Sequence, residues 1–384
     1  MKQAIIVGSG FSGAVCARQL AENGYKVTIL ERNNHIGGNA YDEDQHGIYV
    51  HKYGPHIFHT NNKEVFEYLS RFTKWYEFHH FVEANLNGTL VPVPFNLTSL
   101  EKVFDKDKAE FLKKTLVDTY GMDCKVPIMK LKEIDNQVVK EFADYVFENI
   151  FLHYTTKQWG RTIEELDPNI LTRVPVAITY KTGYFADAYQ YQPLDGFTKL
   201  FENMLDHENI SIKYGIEAKD VLSLKEGKVL YKCKAYDGEV VFTGQIDEFL
   251  DNKFGALPYR SLRFDYETHN VDSYQSAPVV NYTVSEDYTR ISEFKKFTTY
   301  NPPKDITVIV KEYPQEYKQN SGMIAYYPIP NPKNNEQFAL YSNFIAEYPH
   351  FHLLGRLGNY KYINMDMAVA SALELSNKII ANNK

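Results

Sequence analysis

Cysteine is scarce: the 384 residues hold three, Cys16, Cys124 and Cys233, a number and spacing that suit neither a disulfide framework nor a zinc site. Cys16 falls inside the first predicted helix and reads as a small core residue. A reducing, cytoplasmic setting follows. Positive charge is not in excess either. Forty-two Lys and Arg against 49 Asp and Glu leave a net charge of −7, which argues against nonspecific attraction to nucleic acid or to an anionic membrane. A few arginines focused in one cleft remain compatible with a small anionic ligand. No apolar run reaches the ~18 residues of a membrane-spanning helix. The chain enters a strand with no basic region and apolar segment before it, so neither export nor membrane insertion is expected. Internal repeats, low-complexity tracts and coiled-coil heptads are missing, as is any Ser-His-Asp signature.

What is present begins at the first strand. Ala4-Ile5-Ile6-Val7 runs into Gly8-Ser9-Gly10-Phe11-Ser12-Gly13, and a helix with apolar positions Ala14, Ala17, Leu20 and Ala21 opens there. A G-x-G-x-x-G stretch between a strand and a helix is the dinucleotide-binding pattern. Gly8 makes the turn, Gly10 admits a pyrophosphate, and Gly13 lets helix pack on strand, with the phosphates at the positive helix end. Gly24 closes the helix and Lys26–Glu31 reads as the second strand. Glu31, about twenty residues on, is spaced to accept hydrogen bonds from a ribose diol, which disfavours a 2′-phosphate and hence NADP. Between FAD and NAD, Gly37-Gly38-Asn39 favours FAD. It is similar to the double-glycine extension of amine-oxidase and desaturase flavoproteins.

Beyond the nucleotide unit, Asn61 is placed as a helix cap ahead of Val65, Phe66, Leu69 and Phe72. Asn87-Gly88 predicts a hairpin between Phe81–Leu86 and Thr89–Val93. A T-x-x-E box at Thr98 and Glu101 predicts the start of a helical stretch reaching about 158. Within it Val138, Phe142, Tyr145, Val146 and Asn149 share a face. Phe197, Leu200, Phe201, Met204 and Leu205 mark another helix, Asp237-Gly238 a hairpin within 228–243, and residues 258–345 a tyrosine-rich antiparallel sheet. A last helix runs from about Asp366 to Ile380. The predicted class is α/β: a Rossmann-like FAD-binding unit (1–80, 193–257 and 341–384), an inserted helical unit (96–172) with a substrate loop near its end, and a twisted antiparallel sheet layer (81–95, 173–192 and 258–340).

Short stretches rich in arginine and aromatics punctuate the insertions: His51-Lys52-Tyr53-Gly54-Pro55-His56-Ile57-Phe58-His59-Thr60, Tyr154–Arg161 with one of only two tryptophans, Arg173-Val174-Pro175, Tyr184-Phe185, Thr289-Arg290-Ile291, Lys311-Glu312-Tyr313 and Gly355-Arg356-Leu357. Arginines bind phosphate bidentately, phenols donate to phosphate oxygens, and an aromatic face stacks on a base, so this pool suits a nucleoside diphosphate. The histidines lack acidic or cysteine company, and no metal site is expected.

Together these motifs, with Tyr259-Arg260-Ser261-Leu262, Tyr327-Pro328 and Met365-Asp366, resemble the UDP-galactopyranose mutase family along nearly the whole chain. The resemblance implies a homodimeric flavoenzyme that interconverts UDP-galactopyranose and UDP-galactofuranose for surface glycans. It also implies a non-redox use of FAD, kept reduced by an external reductant: flavin N5 attacks the anomeric carbon, UDP leaves, and an iminium-linked open sugar recloses through O4. Carried over by motif, Arg173 on a mobile loop and Arg290 on the sheet would hold the diphosphate, and Tyr154, Trp159, Tyr184, Tyr313 and Tyr362 would contact the UDP-sugar. Catalytic roles fall to Arg173, Arg290 and His59. Gly8, Gly10, Phe11, Ser12, Gly13, Glu31, Arg32, Gly38, Asn39, His56, Arg260, Arg356 and Met365 would surround the FAD. Ala177, Gln245 and Phe294 depart from the family pattern, and Asn364 takes a place held by either aspartate or asparagine. These differences leave related mutases for UDP-N-acetylgalactosamine, UDP-arabinose or dTDP-fucose as alternatives, with an FAD-dependent amine oxidase or desaturase behind them.

Overall fold

A computed structural model describes residues 2–160 and 175–382. Among these, five parallel strands lie in the order Ile210–Lys213, Lys26–Leu30, Gln3–Val7, Glu239–Phe242 and Phe351–Leu353. Ile5, Ile6, Val240 and Val241 are fully buried, as strands covered on both faces require. The helix Phe11–Glu22 lies on this sheet through Ala14, Val15, Cys16, Ala17, Leu20 and Ala21. Its small residues let the C-terminal helix Met365–Asn382 and the helix Gly196–Leu205 share the same core. Chain order runs outward on both sides of Gln3–Val7, so its C-terminal end is the topological switch point where such folds bind nucleotides.

A second sheet, of seven strands among the described residues, has the order Tyr327–Pro328, Tyr259–His269, Thr307–Glu316, Arg290–Glu293, Val279–Tyr282, Val82–Leu86 and Thr89–Val93. Its backbone is the long pair from Arg260↔Glu316 to His269↔Thr307. The hairpin at Asn87-Gly88 forms as the sequence predicts, with φ of 52° and 95° at its two turn residues. The sheet is not wholly antiparallel: Val279–Tyr282 runs parallel to Val82–Leu86, because these segments are distant in sequence and no hairpin dictates their direction.

Several segments differ from the sequence expectation. Pro175–Ile178 pairs with Cys124–Pro127, and Tyr189–Pro193 lies between Phe58–Thr60 and Trp75–Glu77, so neither enters the large sheet. Asp237-Gly238 makes no hairpin. Lys228–Tyr231 pairs with Leu222–Lys225, whereas the all-buried Glu239–Phe242 is drawn into the parallel sheet. Within the stretch predicted as sheet, Pro332–Ile345 is a helix, started by the Asn331 side chain accepting from Asn334 N and by proline in its first turn.

The helical unit begins one cap earlier than Thr98 suggests. Asn96 and Ser99 form a reciprocal box, with Asn96 Oδ1 accepting from Ser99 N at 3.0 Å. In the same way the first-unit helix Lys63–Leu69 is capped by Asn62 rather than Asn61. In Gln137–Val146 the buried face is Val139, Phe142, Ala143 and Val146, one position round from the predicted stripe. Val138 and Tyr145 flank it, partly buried. The helix then widens into a π-turn over Phe147–Leu152 before His153–Trp159. Such a widening re-aims the side chains that follow it. Gly160, left-handed at φ 58°, ends the helix.

Candidate active site

The glycine loop is shaped by contacts that only hydrogen at Cα permits. A Cβ on Gly13 would lie 2.0 Å from the Gly8 carbonyl oxygen, and one on Gly38 would lie 3.0 Å from Gly10 Cα. Two glycine stretches, 8–13 and 37–38, are thereby pressed together at the switch point. Gly10 caps the following helix without any side-chain bond to its N–H groups, so those donors and the positive helix end face the cleft. Across the loop the buried Glu31 carboxylate accepts from Ser9 N (2.9 Å), Ser9 Oγ (2.6 Å) and Asn33 N (2.9 Å). These bonds fix its orientation at the end of the second strand, as ribose recognition requires.

The cleft so formed, about 560 Å³, is lined by every residue expected around a dinucleotide except Arg260. Its lining includes Asn39 and His56, and also Lys219 and Asn320. This donor set fits a dinucleotide: paired glycines for a pyrophosphate, a helix start for its charge, a carboxylate for a ribose.

A second cavity of about 200 Å³ adjoins the first, sharing Asn39, His56, Tyr326, Arg356, Asn364 and Met365 with it. Its floor is the large sheet. Arg290 projects from it and is held by Glu312 across the strand pair: Nε and Nη2 both donate to Glu312 Oε2, at 2.9 and 2.8 Å. Burial opposes a charge on Arg290, but the Glu312 carboxylate more than offsets it and holds the guanidinium protonated. Among the described residues Nη1 has no partner, and Glu312 Oε1 is likewise unsatisfied. The cavity thus offers a fixed cation with donor capacity to spare, suited to an anionic group.

Phenols surround this cation. Tyr154 lines the cavity from the helix His153–Trp159 and Tyr184 from the connection beside His80, and burial pushes the Tyr154 hydroxyl well above its ordinary range, so it remains a donor. Arg356 lies against the neighbouring Tyr327 and Tyr362 rings, 5.0 and 5.6 Å from their centroids, and its Nε and Nη2 donate to the Ile363 carbonyl. Tyr327 titrates only at about 12 because of its burial. Three histidines complete the wall. Burial pushes His56 down to about 4 and His80 down to about 3, so both are neutral imidazoles. His56 N–H donates to Nδ1 of the fully buried His51 at 2.9 Å, which anchors the loop. His59 stacks on Phe185, centroids 3.6 Å apart, with Nδ1 3.0 Å from Asp187 Oδ2.

The structure therefore brings together Tyr154, Tyr184, Arg290, His56, His59, Arg356, Tyr362 and Met365 from among the residues singled out by sequence. Two are placed elsewhere. Tyr313 follows Glu312 on one strand and so faces the opposite side of the sheet, where Arg263 stacks on it at 3.8 Å. Arg260 donates to the Gln158 carbonyl at 3.1 Å and packs beside Gly160, bracing the end of the Tyr154 helix rather than lining either cavity. Arg173 and the side chain of Trp159 lie outside the described residues. Missed by sequence were Glu312, Tyr327, His80 and Asn281 as wall residues. Glu312 could have been found from strand parity, since alternate residues from Val310 share its face.

A dinucleotide cleft at a sheet switch point, opening into an anion-binding cavity on a second sheet, defines a Rossmann-like nucleotide-dependent enzyme. Comparison with known proteins gives the particular family. The family model described as UDP-galactopyranose mutase matches residues 149–362, and that of the NAD(P)-binding Rossmann-like domain matches 6–72. The UDP-galactopyranose mutase of Mycoplasma pneumoniae is 32% identical over 382 residues, covering 98% of this chain and 96% of the relative. The dTDP-fucopyranose mutase of Escherichia coli is 34% identical over 388 residues and covers 100% of both. A reduced UDP-galactopyranose mutase crystal structure shares the fold, with TM-score 0.70 at 13% identity over 99% of this chain and 94% of that one. The chain belongs to the UDP-galactopyranose mutase family and is a mutase, an isomerase by class.

Proposed function

We propose that the protein interconverts UDP-galactopyranose and UDP-galactofuranose with reduced FAD as its cofactor. The observation that carries this reading is the continuity of the two cavities: a dinucleotide bound in the first presents its far end, past His56 and Asn39, to a ligand anchored on Arg290 in the second. Gly8, Gly10, Phe11, Ser12 and Gly13 would hold the pyrophosphate, Glu31 with Arg32 the ribose end, and Gly38, Asn39, His56, Arg356 and Met365 the flavin side. When bound, reduced FAD supplies a nucleophilic nitrogen for the anomeric carbon without net redox change.

The chain's own residues do the rest. Arg290, fixed by Glu312, stabilises the charge that develops on a departing diphosphate, and needs no reorganisation to do so. Tyr154, Tyr184, Tyr327 and Tyr362 add hydroxyl groups around it. The aromatic walls around Arg290 would limit the water that reaches a reactive glycosyl centre. Arg173, carried on the segment after the Tyr154 helix, is assigned the second diphosphate contact, with Trp159 as a base or sugar contact. Arg173→Ala is expected to abolish most turnover in a steady-state assay while FAD content stays near that of the parent; near-normal turnover would remove Arg173 from this role. We extend the reading to a discontinuous FAD unit, a helical insertion and a sheet unit, a cytoplasmic homodimer fed by an external reductant, and a product destined for surface glycans. No described helix is long and apolar enough to cross a membrane.

A second substrate is favoured by one specific observation, the full-length similarity to a dTDP-fucopyranose mutase. Incubating dithionite-reduced and oxidised protein with UDP-galactofuranose, and separately with dTDP-fucofuranose, then resolving products by anion-exchange chromatography, decides between them. Conversion of the UDP-sugar only when reduced is the expected result. Conversion of the dTDP-sugar alone would transfer the assignment, and conversion of neither would end it.

A further inference from the structure

The cavity holds three histidines that differ in one respect. His80 is buried with Nδ1 unpartnered, among the rings of Phe78, Tyr184 and Phe185. His56 has Nδ1 2.8 Å from the Gly54 carbonyl, which can only accept. His59 alone of the three is given a carboxylate, Asp187, whose Oδ2 lies 3.0 Å from Nδ1. The carboxylate is itself positioned. Asn61 Nδ2 donates to Asp187 Oδ1 at 2.9 Å, and Asn61 Oδ1 accepts from Ala188 N at 2.9 Å, so one side chain pins both the acid and the backbone after it. The Phe185 ring, parallel to the imidazole within 14°, prevents it from turning out of this plane. His59 also sits on a short strand, opposite Gln190 of the strand that follows Asp187, so the pair is built on paired backbone.

We propose that Asp187 is a positioning residue that holds His59 as the Nδ1–H tautomer, leaving Nε2 as the proton carrier for the sugar hydroxyls during ring exchange. This rests on the mutase reading and deepens it. When the first ring C–O bond breaks, its electron pair goes to the released oxygen, which takes a proton from Nε2 of the doubly protonated imidazole while Asp187 retains the proton on Nδ1. When the other hydroxyl of the open sugar then closes on the anomeric carbon, its proton returns to Nε2 as the new C–O bond forms. One O–H and one C–O bond are exchanged for another of each, with no net proton change, as an isomerisation requires. His56 and His80 cannot take this part near neutral pH, since burial keeps both from binding a proton. The charged groups that face His59 across the cavity are Arg290 with Glu312 from the large sheet and Arg356 from the C-terminal side; Asp187 is the acid in contact with it.

The test is Asp187→Asn in the FAD-loaded, reduced protein. The amide keeps shape and can still accept from Asn61, but now donates toward His59 Nδ1, which forces the proton to Nε2. Nitrogen-15 NMR of histidine-labelled protein is expected to show the Nδ1–H form for His59 in the parent and the Nε2–H form in the variant. Turnover is expected to fall by about 100-fold or more while KM stays within about threefold. An unchanged tautomer, or a switched tautomer with turnover within about threefold of the parent, would overturn the proposal. If the parent turned over neither UDP- nor dTDP-sugar, the mutase reading would fall, whereas the tautomer measurement would still decide the Asp187–His59 pairing. Asp187→Ala, which leaves the Nδ1–H without its acceptor, guards against a variant that misfolds: it too should lose the fixed Nδ1–H signal, and its retention would count against the pair.

Discussion

At the residue scale the site turns on a buried ion pair that was only half legible in the sequence. Arg290 stood out because Thr289-Arg290-Ile291 is one of the arginine-bearing stretches suited to a diphosphate and part of the resemblance to the family. Its partner Glu312 looked like one charge among many in Lys311-Glu312-Tyr313. Strand parity resolves the ambiguity: Glu312 shares the inner face with Arg290, and Tyr313, which the motif suggested, must point the other way. The phenol that reaches the cavity instead is Tyr327, delivered by the short edge strand Tyr327–Pro328. Because Glu312 accepts both Arg290 bonds through one oxygen, removing it frees the guanidinium to swing and leaves it without its counter-charge. Glu312→Ala is expected to lower kcat/KM by about 10- to 100-fold, roughly 1.4–3 kcal/mol of transition-state stabilisation. Glu312→Gln, which keeps one acceptor, should lose less. Steady-state rates on reduced enzyme read both, and equal rates for Glu312→Ala and parent would show that Arg290 needs no brace.

At the element scale the strand–loop–helix start was the most legible part, since glycine spacing reports backbone geometry directly. The two glycines at its heart do different jobs, and substitution separates them. A Cβ at Gly13 meets the Gly8 carbonyl at 2.0 Å, a clash of backbone against backbone that cannot be relieved without moving helix from strand. Gly13→Ala is expected to yield little folded protein. A Cβ at Gly10 meets nothing closer than 3.7 Å and so should be tolerated by the fold, but it projects where the loop faces the cleft. Gly10→Ala is expected to melt near the parent temperature without cofactor and to purify with about tenfold less flavin, because the backbone can no longer approach a pyrophosphate. Flavin absorbance and thermal melting distinguish the two; a Gly10→Ala protein fully loaded with flavin would show that the phosphates lie elsewhere. Elements fixed by distant partners were harder to read. Asp237-Gly238 has the composition of a hairpin turn, yet Glu239–Phe242 is more strongly drawn into the parallel sheet, where all four residues are buried. Propensity yields to burial in such cases. Pro332–Ile345 was hidden among tyrosine-rich strands although Asn331 and Pro332 carry a helix start.

At the scale of the whole molecule, the chain returns to its first sheet after each excursion, and pieces from 3–7, 26–30, 210–213, 239–242 and 351–353 meet there. The sequence announces the first two by their motif and assigns the segments 193–257 and 341–384, which hold the others, to the same unit, but nothing local gives the order in which those strands join the sheet. The cavity is assembled from all these excursions, so its buried histidines couple the stability of the assembled protein to pH. Burial brings His80, 4% exposed, down to about 3 in the folded protein, from the ordinary histidine value of 6.5 that it regains when unfolded. Its folded pKa is depressed, and the neutral form is the one the fold accepts. Between these values the unfolded chain therefore holds more protons than the folded one, and stability falls as the pH is lowered through that window. The slope from one such group is about 1.4 kcal/mol per pH unit. Other buried groups, including Asp42 and Asp247 whose pKa burial raises, add contributions of their own sign, so the informative quantity is a difference between two proteins. His80→Phe places one more ring among Phe78, Tyr184 and Phe185 and removes the one titration. Urea unfolding between about pH 6 and about pH 4 should show the variant losing stability less steeply than the parent, by about 1.4 kcal/mol per pH unit. Parallel stability curves would mean that His80 protonates inside the folded cavity at little cost, and that the wall around Arg290 is wetter than its packing indicates.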